Sequence, residues 1–229
     1  MTRHRARTVL VTGANRGLGL ATATELHRRG WRVVVAARNG TDAEEAAERI
    51  GGGARGFTLD ITDAASVAAA PGELGTVDAL VNNAGVLLDD GADVLAVSPD
   101  LIRSTMAVNF FGTWQVCQAF LPAMIARGWG RVVLVSSGTG TFTHGPFGGT
   151  PAYSLSKTAV NGLTVLLAAR TAGTGVLVNA VNPGRVRTRM MPSAEQSPET
   201  AGAEVADLVT LPDDGPSGVL LRSGRVSGW

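Results

Sequence analysis

The chain contains a single tyrosine, Tyr153, and a single lysine, Lys157, four residues apart. Every other basic side chain is arginine. Arginine substitutes freely for lysine where only a solvated charge is needed, so a lone lysine marks a place where the compact ammonium itself is required. Four residues is one helical turn, which puts the phenol and the ammonium on one helix face. That geometry suits proton chemistry. A surface pair has the same spacing, so the surrounding residues must decide between the two.

A second group of residues is suited to holding phosphate. An apolar run ending at Thr12 passes into Gly13-Ala14-Asn15-Arg16-Gly17-Leu18-Gly19 and then into a segment of helical period. Glycines there let the backbone turn tightly and approach a pyrophosphate held at a helix N-terminus. The implied ligand is a dinucleotide. After the next apolar run the chain reads Val35-Ala36-Ala37-Arg38, with no carboxylate to bond a ribose 2′-hydroxyl. Arg38, with Arg16 from the glycine turn, offers guanidinium to a 2′-phosphate instead, which predicts NADP(H).

The elements that must position these groups follow from apolar periodicity. Runs of four to six apolar residues alternate with longer helical segments, the signature of βα units around a parallel sheet. Strands are expected at Thr8 to Thr12, Trp31 to Ala37, Gly56 to Asp60, Val77 to Asn82, Arg131 to Ser136, Val176 to Val181 and Gly218 to Arg222. Their near-continuous apolar character places helices on both faces, giving an α/β doubly wound fold of about seven parallel strands. Ser98-Pro99-Asp100 opens a long helix toward Arg127, and Thr150-Pro151 opens the helix that carries Tyr153 and Lys157. The stretch from Arg187 to Glu199 lacks periodicity and reads as a mobile flap rather than a linker, leaving one domain over 1–229.

Composition excludes several other functions. With 45% hydrophobic and 17% charged residues among 229, the chain builds a substantial core. Twenty basic against nineteen acidic residues give a net charge of +1, which leaves no broad cationic face for nucleic acid or an anionic membrane. One cysteine, Cys117, makes no internal disulfide, and His4, His27 and His144 are too scattered for a zinc site. No apolar run reaches the roughly 18 to 20 residues of a membrane span, and the start lacks a secretory signal's apolar stretch. A soluble, cytoplasmic protein without a structural metal is expected.

Taken together, these residues resemble the short-chain dehydrogenase/reductase family, whose domain is of the Rossmann type. The likeness extends over nearly the whole chain. It rests on T-G-x-x-x-G-x-G at 12–19, Leu59-Asp60-Ile61, Asn82-Asn83-Ala84-Gly85, Asn109, Ser136-Ser137, Tyr153 to Lys157, and Asn182-Pro183-Gly184 with Val186 and Thr188. The resemblance implies that Tyr153 is the general acid that protonates a substrate carbonyl as hydride arrives from the nicotinamide. A free phenol has a pKa of about 10. A cation about 4 Å away at an effective dielectric of about 20 contributes roughly 4 kcal/mol, enough to lower it by about three units. Lys157 would supply that cation and bond the nicotinamide ribose. Ser137 would hold the carbonyl oxygen, and Asn109 a water linking Lys157 to solvent. Asp60 and Ile61 would meet the adenine, and Asn83, Ala84 and Gly85 would line its ribose. Pro183 and Gly184 would shape the turn from which Val186 and Thr188 fix the carboxamide.

The tail LPDDGPSGVLLRSGRVSGW resembles a carbonyl-reductase-like branch of the family. The expected activity is NADPH-dependent reduction of a ketone or aldehyde. Two alternatives are an NADP-dependent alcohol dehydrogenase working in the oxidative direction and a non-catalytic NADP(H)-sensing protein. Phe142, His144 and Phe147 in the loop before Tyr153, with Met190 and Met191 in the flap, are candidate substrate-pocket residues. Relatives assemble as homodimers or homotetramers through the two long helices. In this chain those helices carry Phe110, Phe111 and Trp114, and Val160, Leu163 and Leu167, which fit core and interface alike.

Overall fold

Alternation along each strand sends successive side chains to opposite faces of a sheet, and both faces are covered here. In the computed structural model, which describes residues 6–143 and 148–229, the strands are β1 (Thr8–Thr12), β2 (Arg32–Ala37), β3 (Arg55–Thr58), β4 (Ala79–Asn82), β5 (Gly130–Val135), β6 (Val176–Val181), β7 (Leu220–Arg222) and β8 (Arg225–Ser227). Val9 and Val11 of β1 pack with Leu26, Val205 and Val209 on one side. Leu10 packs with Phe120, Met124, Val160 and Leu163 on the other.

The helices are α1 (Gly17–Arg28), α2 (Gly40–Ile50), α3 (Ala64–Leu74), α4 (Pro99–Met106), α5 (Thr113–Arg127), α6 (Pro151–Thr171) and α7 (Pro198–Val209). The strand order is β3-β2-β1-β4-β5-β6-β7-β8, with all neighbours parallel except β7 and β8. The order reverses between β1 and β4. At such a switch point the loops leaving two neighbouring strands diverge and open a crevice at their carboxyl ends.

The seven expected strands are all present, with ends shifted by up to two residues. An eighth was not expected. Ser223 and Gly224, at φ 47 and 71, form a two-residue turn that folds the tail back as an antiparallel edge. The anticipated long helix is continuous in path, but its middle, Ala107–Gly112, widens into a π-helical turn. Gly112 lies close against Ile61 at that point. Most of the stretch from Arg187 to Glu199 is a loop folded on itself by the bridges Val186–Gln196 and Thr188–Met191, and its last two residues, Pro198 and Glu199, already belong to α7. Val160 and Leu163 belong to the core, whereas Phe111 and Trp114 are exposed.

Among the described residues no helix is long and apolar enough to cross a membrane, and no cluster of His, Cys, Asp and Glu is arranged to hold a metal ion.

Candidate active site

The crevice at the switch point is a cavity of about 1470 Å³. Its floor is built where the loops after β1 and β4 cross. Thr12 Oγ1 accepts the backbone N–H groups of Asn83 and Ala84 at 3.0 and 3.1 Å. Asn83 Nδ2 in turn donates to the carbonyls of Thr12 and Gly13 at 2.9 and 3.0 Å. Gly13 must be glycine in this crossing, since its φ is +62 and a Cβ would come within 2.8 Å of Ala84 Cα.

The glycine turn then presents the N-terminus of α1 to the cavity. Arg16 at its N-cap makes no side-chain cap, and the first turn holds no acidic residue. Amides left without a partner at a helix N-terminus favour an anion, so the turn fits a pyrophosphate. Asn15, Arg16, Gly17, Leu18 and Gly19 all line this end.

Arg16 and Arg38 lie exposed on the same wall, and neither forms an ion pair among the described residues. Asp42 shares that wall and accepts from Asn15 Nδ2 at 3.1 Å. Asp60 is held below the usual carboxylate range, first by the Thr62 hydroxyl at 2.7 Å and the Thr62 N–H at 2.9 Å, then by the charge of Arg38. Ile61, Asn83, Ala84 and Gly85 continue the lining toward the far end.

At that far end Ser137, Tyr153 and Lys157 converge, supplied by the end of β5 and the first turns of α6. Gly140 makes the approach of these two elements close, because a Cβ there would stand 2.6 Å from the Lys157 carbonyl carbon and the Thr158 nitrogen. Ser136, by contrast, points away from the Tyr153 phenol and bonds Asn161 at 2.5 Å. The two serine hydroxyls thus bond different partners, Ser136 with Asn161 and Ser137 with Thr139.

Burial pushes the Tyr153 phenol up to about 12, against a downward pull from its hydrogen bond with Ser137. Burial also drives Lys157 down to about 8. This departs from the expected lowering of the phenol by Lys157. The Lys157 ammonium lies 5.6 Å from the Tyr153 ring centroid and donates to the Val135 carbonyl at 2.7 Å, so desolvation outweighs its attraction for the phenolate.

Pro183, Gly184, Val186 and Thr188 form the roof, with Met190 and Met191 beyond them on the lining. Phe142 is 73% exposed and is not on the cavity wall. His144 and Phe147 lie outside the described residues. Asn109 is fully buried behind the cavity. Both its amide hydrogens are used, toward the Val86 carbonyl and Ser156 Oγ at 2.9 Å each, and its Oδ1 accepts the Val86 N–H at 2.8 Å.

The short chain dehydrogenase family profile matches residues 7–199. The chain belongs to this family. Oxidoreductase UcpA of Salmonella typhimurium is 38% identical over 218 residues, covering 90% of this chain and 81% of the relative. D-threitol dehydrogenase of Mycolicibacterium smegmatis is 38% identical over 199 residues, covering 84% and 75%. The solved structure of a short chain dehydrogenase/reductase family protein superposes with a TM-score of 0.87 at 32% identity, covering 94% of each chain. As a short-chain dehydrogenase/reductase the protein is an oxidoreductase of alcohol and carbonyl groups that uses a nicotinamide cofactor.

Two residues of this dehydrogenase site carried no signal in the sequence. Asp89, 2% exposed, caps α6 by accepting the N–H groups of Ala152 at 2.6 Å and Tyr153 at 3.2 Å. Thr150 was expected to be the cap, but its hydroxyl pairs with Ser154 instead, and the helix makes no side-chain cap of its own. The other is Thr139 on the cavity wall, two residues beyond Ser137. Asp89 is 64 residues from Tyr153 in the chain, so no local pattern pairs them.

Proposed function

We propose that this protein is an NADPH-dependent reductase of ketone or aldehyde carbonyls, with Tyr153 as the general acid. The observation that carries the reading is one continuous cavity, bounded by the glycine turn at one end and by Ser137, Tyr153 and Lys157 at the other. When bound, the reduced nicotinamide supplies the hydride. The protein's own residues do the rest. Ser137 bonds the carbonyl oxygen, Tyr153 gives that oxygen its proton, and Lys157 stabilises the tyrosinate that remains. Asn109 braces the loop after β4 against α6 and would hold the water that links Lys157 to solvent.

A phenol raised to about 12 is protonated at neutral pH, so Tyr153 holds the proton that carbonyl reduction needs. The choice of NADPH rests on Arg16 and Arg38, two guanidiniums free to meet a 2′-phosphate. Asp60 and Ile61 take the adenine, Asn83 to Gly85 its ribose, and Val186 and Thr188 the carboxamide. Exposed Phe111 and Trp114 suit a homodimer or homotetramer built on the helices that carry them.

The test is NADPH oxidation by the purified protein against ketones, aldehydes, quinones and acyl thioesters, with NADP⁺ reduction by polyols run in parallel. Tyr153→Phe should abolish carbonyl reduction while NADPH affinity stays within about threefold. Retained turnover would reject Tyr153 as the acid, and turnover on polyols alone would assign the oxidative direction.

A further inference from the structure

The hydroxyl of Ser137 has one proton to give and two lone pairs to fill. Both lone pairs are met by one neighbour. Thr139 donates its backbone N–H to Ser137 Oγ at 3.2 Å and its side-chain hydroxyl to the same atom at 3.1 Å. Among the described residues, the one other hydrogen bond of Ser137 Oγ is shared with the Tyr153 phenol.

We propose that Thr139 is a positioning residue that fixes Ser137 as an obligate hydrogen-bond donor toward the reacting oxygen. A serine hydroxyl left to rotate can accept as readily as it donates, and in a polar cavity it would spend much of its time with the proton turned elsewhere. With its acceptor capacity filled by Thr139, the Ser137 proton is left pointing at the phenol and at the carbonyl oxygen that approaches it. A donor aimed in advance at a developing negative charge stabilises that charge without reorganisation during the reaction. The arrangement is local. Thr139 stands in the short 3-10 turn Gly138–Gly140, which Gly140 presses against the backbone of α6. The relay therefore runs from Thr139 through Ser137 to Tyr153, and it rests on the roles proposed above for the last two.

The N–H donation is a backbone bond that any side chain keeps, so Thr139→Val removes only the hydroxyl at nearly constant shape. Relative to the wild-type enzyme, Thr139→Val should lower kcat for carbonyl reduction by about three- to tenfold, the effect of one hydrogen bond, and leave the KM for NADPH unchanged. Thr139→Ser should restore it. In a Ser137→Ala background, adding Thr139→Val should cost nothing further, since the group it orients is gone.

Because Tyr153 is the only tyrosine, protein labelled at tyrosine Cζ gives one carbon resonance that senses hydrogen bonding at the phenol oxygen. Thr139→Val should move it toward the Ser137→Ala position, and Thr139→Ser should return it. The resonance needs no turnover, so it reads the relay even if Tyr153→Phe stays active and the reductase reading fails. Wild-type kcat in Thr139→Val, an equal loss with and without Ser137, or an unmoved resonance each overturns the proposal.

Discussion

The carboxylate of Asp89 accepts the backbone N–H of Tyr153 at 3.2 Å, so the cavity's only tyrosine is anchored by an acid from the loop after β4. The same carboxylate takes the Ala152 N–H at 2.6 Å. Both amides belong to the first turn of α6 and would otherwise lack a partner in a buried place. Removing the acceptor as Asp89→Ala should lower stability by about 1–2 kcal/mol, the usual worth of an N-cap, and reduce kcat by loosening the start of the helix. Asp89→Asn keeps one acceptor oxygen and should fall between. Thermal melts together with steady-state turnover check both effects; full activity in Asp89→Ala would show that Tyr153 is held by other contacts.

Lys157 carries a charge that is costly to bury. Its folded pKa, about 8, lies below the ordinary 10.5. Between those values the unfolded chain binds more protons than the folded one, so this group's contribution to stability rises with pH there and is least favourable below 8. Lys157→Met removes a charge that is costly to bury. The variant should gain roughly 1–3 kcal/mol at pH 7, less the lost bond to Val135, and gain little at pH 10.5, while turnover disappears. Melting curves at the two pH values test the sign. A variant less stable than the parent at pH 7 would mean that the hydrogen bond outweighs desolvation.

Arg38 and Arg16 stand on the cavity wall near the glycine turn, without an ion pair among the described residues. If they meet a 2′-phosphate, Arg38→Asp should weaken NADPH binding by about ten- to a hundredfold and change NADH binding by less than about threefold, as expected for loss of a charge-assisted bond. Fluorescence titration with the two cofactors gives both constants. Equal weakening would remove the basis for assigning the 2′-phosphate to this wall.

Gly140→Ala places a methyl group 2.6 Å from backbone atoms of Lys157 and Thr158, neither of which can rotate aside. The turn carrying Ser137 and Thr139 would have to separate from α6. A loss of about 1–3 kcal/mol in stability is expected, with a fall in kcat larger than any change in NADPH affinity. Chemical denaturation and cofactor titration on the same preparation separate the two effects.

The sheet was legible because its strands are covered on both faces: runs such as VVVAA and VLVNAV read as buried strands without help from partners, and seven of eight were found in this way. The eighth was missed because it depends on two residues in the positive-φ region, Ser223 and Gly224, rather than on apolar pattern. The glycine turn and the Tyr153–Lys157 pair stood out for a related reason: each is a spacing within one turn, and local geometry is set by chain connectivity, whereas the choice of Ser137 over Ser136 came from the family resemblance.

The electrostatic state of the site and its supports belonged to the tertiary structure alone. A pairwise estimate from Lys157 gave a lowered phenol, yet burial raises Tyr153 to about 12, because desolvation depends on everything packed around the group. Thr150 looked like the cap of α6, but the carboxylate that does the capping comes from 63 residues away along the chain. The amino-acid sequence by itself determined which residues could do proton and phosphate chemistry and which strands would bring them to one edge of a sheet. Only the fold decided which acid anchors Tyr153 and which carbonyl the Lys157 ammonium bonds, since each is a contact between segments whose separation in the chain carries no pattern.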